Sequence, residues 1–221
     1  MKPLFIFYLY FILIAGTSVG QTTNLFTKVI SDSAGDGRQA RNIFLLTNQY
    51  VIFSSSASSP VHYSLYKLDI NGNLLESKDY NYGNFNYLKS IRASNGTFAT
   101  LSYYIPTSQL IITYFNNNLD SLFSYNFSLP YEPVDIVEVS TGRFVVPYLL
   151  NGVNLGYSSA FSFDSTGAIL WTMNPQHALA NNIFRGLGNG FFNISFDGSG
   201  NAEVMMFDST GNLLNTIGVQ P

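Results

Sequence analysis

Two phrases decide the reading of this chain: FDSTGNLLN at Phe207–Asn215 and, 44 residues earlier, FDSTGAILW at Phe163–Trp171. A related LDINGNLL occupies Leu68–Leu75, and a divergent FNNNLDSL occupies Phe115–Leu122. The residues that open these four turns, Asp69, Asn116, Asp164 and Asp208, are spaced 47, 48 and 44 apart. A second marker keeps the same period. A turn followed by a strand beginning on an aromatic recurs at Tyr50, Phe98, Phe144 and Phe191, spaced 48, 46 and 47. Two markers in phase point to one supersecondary unit written four times.

The phrase has a mechanical meaning. Its Asp accepts hydrogen bonds from its own backbone two residues on, and its Gly, at Gly72, Gly167 and Gly211, supplies the positive φ of a tight reversal. The residues before each turn alternate. Tyr66 and Leu68, Thr113 and Phe115, Phe161 and Phe163, Met205 and Phe207 share one face, while Lys67, Tyr114, Ser162 and Met206 take the other. This predicts a mostly apolar face for packing against the next unit. A period of 44 to 48 residues holds four short strands, the size of a propeller blade. The second unit divides into YLKSIRAS, TFATLSYY, LIITYFNN and SLFSYNFS.

Units with LDxNGNLLW, a strand, then a Gly turn into an aromatic strand resemble the repeats of bacterial secreted and cell-surface β-propellers of the quinoprotein-like kind. Leu68–Leu75, Phe163–Trp171 and Phe207–Leu214 carry the likeness, with Trp171 alone matching the tryptophan after the turn; Glu76, Phe123 and Asn215 depart from it. The resemblance implies blades and no particular binding site. The expectation is an all-β fold of four tandem four-stranded antiparallel blades, at about 40–82, 88–130, 134–175 and 181–221. An extra strand, NLFTKVIS at 24–31, precedes them and aligns with the last strand of a unit. The array is then either a closed four-blade ring with a spare edge strand or an open arc that pairs with another copy.

The chain opens MKPLFIFYLYFILIAGTSVGQ, with Lys2 before an apolar run from Leu4 to Ala15 and small residues up to Gly20. That layout reads as a secretory signal peptide at 1–20, with an uncleaved N-terminal anchor as the competing reading, its apolar run of about twelve residues falling short of the roughly 20 that span a membrane. Residues 21–221 form the repeat domain, with no membrane span after cleavage and a secreted or cell-surface destination. With no cysteine, the exported chain has no disulfide and depends on a packed core. Only 10% of residues are charged, the net charge is −3 and no basic run occurs, which speaks against nucleic acid.

No catalytic set emerges. GTSVG at 16–20 matches a nucleophile pattern but lies in the leader, and GLGNG at 186–190 precedes a strand rather than a phosphate-binding helix. Asp69, Asn71 and Asn73 alternate like calcium ligands, without the closing acid or flanking helices of an EF-hand. His62 and His177 have no metal-binding spacing, so no metal and no cofactor is expected. A glycosidase or lyase needs two converging carboxylates, and nothing selects a pair. The loop aromatics Tyr80, Tyr82, Phe85 and Tyr87 suit stacking on a glycan or a protein partner. Sequons stand at Asn95, Asn126 and Asn193. The sequence therefore reads as a non-catalytic exported binding protein, with a carboxylate enzyme or a piece of a longer propeller as alternatives, and with a homo-oligomer expected if the ring is open.

Overall fold

The structure, a computed structural model, describes residues 39–55, 62–81, 83, 85–129, 132–149, 158–173, 183–196 and 201–218. The leader at 1–20, the strand expected at 24–31, Tyr82 and His177 lie outside them.

Four antiparallel four-stranded sheets follow one another along the chain, each made of consecutive strands in order. The first holds β1 (Gln39–Leu45), β2 (Gln49–Ser55), β3 (His62–Asp69) and β4 (Leu74–Asn81). The second holds β5 (Asn86–Arg92), β6 (Phe98–Tyr104), β7 (Gln109–Phe115) and β8 (Ser121–Ser128). The third holds β9 (Val137–Ser140), β10 (Arg143–Leu149), β11 (Ser158–Asp164) and β12 (Ile169–Thr172). The fourth holds β13 (Ile183–Arg185), β14 (Phe191–Phe196), β15 (Ala202–Phe207) and β16 (Leu213–Gly218). This is the propeller-like array of blades that the period predicts.

The register repeats as strictly as the sequence does. Tyr50 stands opposite Leu68, Phe98 opposite Phe115, Phe144 opposite Phe163 and Phe191 opposite Phe207, so the two sequence markers are cross-strand partners in every sheet. The pairing of the third and fourth strands shifts by one residue at the same place in all four sheets, between Lys67 and Leu68, Tyr114 and Phe115, Ser162 and Phe163, and Met206 and Phe207. That bulge follows from the turn: a positive-φ residue after a tight reversal leaves one residue unmatched. Pro147 is tolerated inside β10 because its missing N–H faces β9, which already ends at Val137; its carbonyl accepts from Val134 on that same side at 3.0 Å.

The core is divided among the junctions. One buried cluster joins sheets one and two through Val51, Phe53 and Leu65 against Phe98 and Phe115. A second joins sheets two and three through Leu101, Ile112 and Tyr114 against Phe144 and Phe161. A third joins sheets three and four through Val145 and Ala160 against Phe191 and Phe207. Phe115, Phe163 and Phe207 thus pack on the preceding blade, which corrects the direction expected from the sequence. The opposite face, carrying Tyr114 and Ser162, is buried against the blade that follows. A fully buried Phe side chain contributes roughly 1.5–3 kcal/mol over an exposed one. In a chain without disulfides, contacts such as Phe53 with Phe98, centroids 5.5 Å apart, and Trp171 stacked on Phe191 at 6.1 Å supply the sheet-to-sheet cohesion.

Candidate functional site

The four turns are closed by their own first residue. Asp69 Oδ1 accepts the backbone N–H groups of Asn71 and Asn73 at 2.9 and 2.8 Å, and its Oδ2 accepts the Asn73 amide at 2.8 Å. Asp164 and Asp208 do the same for Thr166 and Ala168, and for Thr210 and Asn212. These bonds, led by the Thr210 hydroxyl, lower the Asp208 carboxyl to about 2, and the Thr166 hydroxyl lowers that of Asp164. Both oxygens of the Asp69 carboxylate thus accept hydrogen bonds from the hairpin itself.

The divergent second turn has the same geometry with its chemistry exchanged. Asn116 Oδ1 accepts from Asn118 and Asp120 at 2.8 and 2.9 Å, and its amide donates to Asp120 at 3.1 Å. Asp and Asn have traded places relative to Asp69–Asn73 and Asp208–Asn212. Leu119 takes the glycine position at φ 61°, a strained conformation for a leucine, and its side chain is buried in the first junction. Burial offsets the strain, so the turn persists without glycine.

Each junction carries an outer clasp from the fourth strand of one blade to the turn of the next. Tyr80 donates its hydroxyl to the Leu119 carbonyl at 2.5 Å, Tyr125 to Ser165 at 2.7 Å, and the Trp171 indole to Ser209 at 2.9 Å. The Tyr125 ring lies over Gly167, where an added Cβ would sit 2.5 Å from it. Lys78 reinforces the first clasp by donating to the Asn118 carbonyl at 2.7 Å and pairing with Asp120 and Glu76. The Asp120 pairing holds the Lys78 ammonium above its ordinary value.

Each junction also carries an inner staple between first strands, whose outer edges would otherwise leave N–H groups unpaired. Asn42 accepts from the Ser90 N–H at 2.9 Å and the Tyr87 hydroxyl at 2.6 Å. Glu138 accepts the Ser94 N–H at 2.5 Å, its hydroxyl at 2.9 Å and the Gly142 N–H at 2.9 Å. Asp135, buried, pairs with Lys89 of sheet two and accepts the Ile183 N–H of sheet four at 3.4 Å. The sequence reading missed these staples. Their signal was the spacing, since Asn42 to Ser90 and Asp135 to Ile183 both span 48 residues.

The aromatic loop is placed differently from its sequence reading. Tyr87 is buried with its hydroxyl held by Asn42 and Ser90, and burial pushes that phenol well above its ordinary value. Tyr80 is half-buried against Phe115, and Phe85 lies against Tyr104 with its carbonyl accepting from Tyr63. Asn95 and Asn126 are exposed, whereas Asn193 has no exposure and offers no acceptor for a glycan in the folded chain. Gly186–Gly190 closes as the turn into β14, and His62 begins β3.

The surface holds a further repeat. The sixth residue past each turn-opening residue is a leucine, Leu75, Leu122, Leu170 and Leu214, on the exposed outer strand of each blade. The sequence displays it inside the turn phrase itself.

Neither a protein-family model nor a curated protein sequence matches the chain. Among solved structures it is similar to a Bacteroides caccae protein of unknown function, with TM-score 0.52 and 12% identity over 83% of this chain and 68% of that one. It is also similar to a structure described as the eukaryotic initiation factor, at TM-score 0.49 and 10% identity over 83% of this chain and 55% of the other. A Synechocystis apocarotenoid oxygenase gives TM-score 0.46 and 13% identity over 78% of this chain and 47% of the other. The chain thus spans about two thirds of the first and about half of the other two. At 12% identity the first likeness is one of fold.

Proposed function

We propose that this protein is an exported, non-catalytic interaction module that binds a protein partner through the leucine rim of its blades. The observation that carries this reading is the repeated exposed leucine: Leu75, Leu122, Leu170 and Leu214 are each between 40% and 65% exposed. Leu74, Phe123, Ile169 and Leu213, next to them on the same outer strands, are exposed as well. Contiguous exposed apolar surface on a folded protein is the mark of an interaction site. Aliphatic side chains suit a protein surface better than a sugar ring, which favours aromatic platforms. The buried carboxylates Asp135 and Glu138 are spent on holding blades together, which further favours a scaffold. Export rests on the leader-like residues 1–20.

The test compares the full exported chain with a variant carrying Leu75→Ser, Leu122→Ser, Leu170→Ser and Leu214→Ser. Both are immobilised and exposed to solubilised surface proteins of the source cell, and both are applied to a glycan array. The wild type is expected to retain a discrete protein that the equally folded variant loses. Equal retention by the two chains, or retention of glycans alone, overturns the reading.

A further inference from the structure

Each blade lays an outgoing face on the incoming face of the blade after it, so the series has two terminal faces, and they differ. The incoming face of the first sheet is closed within one chain: Leu68, Ser64 and Ser54 on it are 1%, 0% and 4% exposed, and Tyr50, His62 and Tyr66 beside them have partners. The outgoing face of the fourth sheet is open. Phe184, Ile194, Met206 and Ile217 on it are 40% to 50% exposed, and Phe184 stacks on Phe192 with centroids 5.4 Å apart.

The open face departs from its three counterparts in one direction. One cross-strand pair of the outgoing face is Val51–Lys67 in the first sheet, Ala99–Tyr114 in the second and Val145–Ser162 in the third, and it is Phe192–Met206 in the fourth. The next pair is Leu65–Lys78 in the first sheet and Ile112–Tyr125 in the second, and it is Val204–Ile217 in the fourth. Inside the junctions most of the polar members are used: Lys67 pairs with Glu76, Ser162 donates to the Phe144 carbonyl at 2.8 Å, and Lys78 and Tyr125 reach the turn of the next blade. The blade without a successor carries an apolar side chain at each of these places, where contact with water would favour a polar one. No charged residue stands on this face among the described residues.

We infer that two copies of this chain pack their fourth sheets on each other, outgoing face to outgoing face about a two-fold axis. A chain with one open end pairs open end to open end. The contact is isologous, so assembly stops at two chains. A two-fold contact sets residues near its axis against their own copies, where any charge would meet a like charge; an uncharged face meets that condition. The exposed sheet faces pack as two layers of a sandwich do, with side chains interdigitating between them. A four-stranded face of this size buries on the order of 1,000 Å² in total, at the low end for specific contacts, so the dimer is a weak and reversible one. The inference stands apart from the leucine rim.

The experiment measures solution mass by light scattering on a sizing column, with the full exported chain loaded at about 1 to 500 μM. The wild type is expected to pass from monomer to dimer and to form nothing larger. Ile194→Asp with Met206→Asp, and separately Ile194→Lys with Met206→Lys, each raise the midpoint of association by at least about tenfold. Mixing the acidic and basic variants restores a one-to-one dimer, because unlike charges then meet across the axis. Ile43→Asp, on the first sheet, leaves the wild-type midpoint unchanged. Circular dichroism and Tm at the lowest concentration establish that the variants fold, and Ile217→Asp alone, on the edge strand, serves where a double variant does not. A wild type that stays monomeric at every concentration overturns the inference, whether the array closes within one chain or a partner of another kind takes the face. Species larger than a dimer, a midpoint moved by Ile43→Asp, or acidic and basic variants that do not recombine overturn it equally.

Discussion

At the scale of single residues, the turn carboxylates make stability depend on pH in a direction that can be fixed in advance. Asp208 is lowered to about 2 in the folded chain by the Thr210 and Asn212 bonds, against an ordinary value of 3.8. A depressed folded value means that the contribution is present above about pH 4 and is lost as pH falls through the folded value. Asp208→Asn keeps an acceptor for the two backbone N–H groups, as Asn116 does in the second turn, but removes the titration. The fall in Tm between about pH 5 and pH 2.5 is therefore expected to be smaller in the variant than in the wild type. An equal fall would place the acid sensitivity elsewhere. The second turn also marks a limit of legibility at this scale. Its exchanged Asn116 and Asp120 and its buried Leu119 read as erosion in the sequence, because motif matching scores identity and the hairpin requires only an acceptor and a positive φ.

At the scale of elements, strands and junctions differ in how openly the sequence states them. The strands were legible because alternation and turn chemistry are local, and the second unit's four segments correspond to β5, β6, β7 and β8. The staples were hidden because each joins a side chain to a backbone N–H more than forty residues away, and any N–H serves as a partner. Tyr87 was misleading for a related reason: an aromatic beside Asn and Gly looks like loop, yet Asn42 from the previous blade holds its hydroxyl. The Lys89–Asp135 pair offers the sharpest test of a staple. Lys89→Met leaves a buried carboxylate without its cation and is expected to cost about 2–3 kcal/mol in urea unfolding, below the range for a fully buried pair because Lys89 is partly solvated. Lys89→Arg should recover most of that loss. A change under about 0.5 kcal/mol for Lys89→Met would show that the Ile183 N–H, together with the N–H of the adjacent Ile136, which donates to Asp135 Oδ1 at 2.6 Å, suffices for Asp135.

At the scale of the whole molecule, the blades form a one-dimensional series in which each sheet is stabilised by its neighbours. The second sheet is covered on both faces, and every residue of β6 from Phe98 to Tyr103 is buried. The fourth is covered on one face, and all six residues of β16 are exposed. Amide hydrogen exchange should accordingly be slowest in β6 and β7 and fastest in β16, at a concentration where the chain is monomeric. Protection of β16 equal to that of β6 under those conditions would mean that the array closes within one chain.

The consecutive order of strands within every sheet bears on how such a chain is made. No described sheet waits for a strand from a distant part of the sequence, so loop closure never extends beyond neighbouring hairpins within a sheet. A polypeptide emerging N-terminus first can complete its first blade while the last is still being synthesised, and each finished blade then offers a template surface to the one emerging behind it.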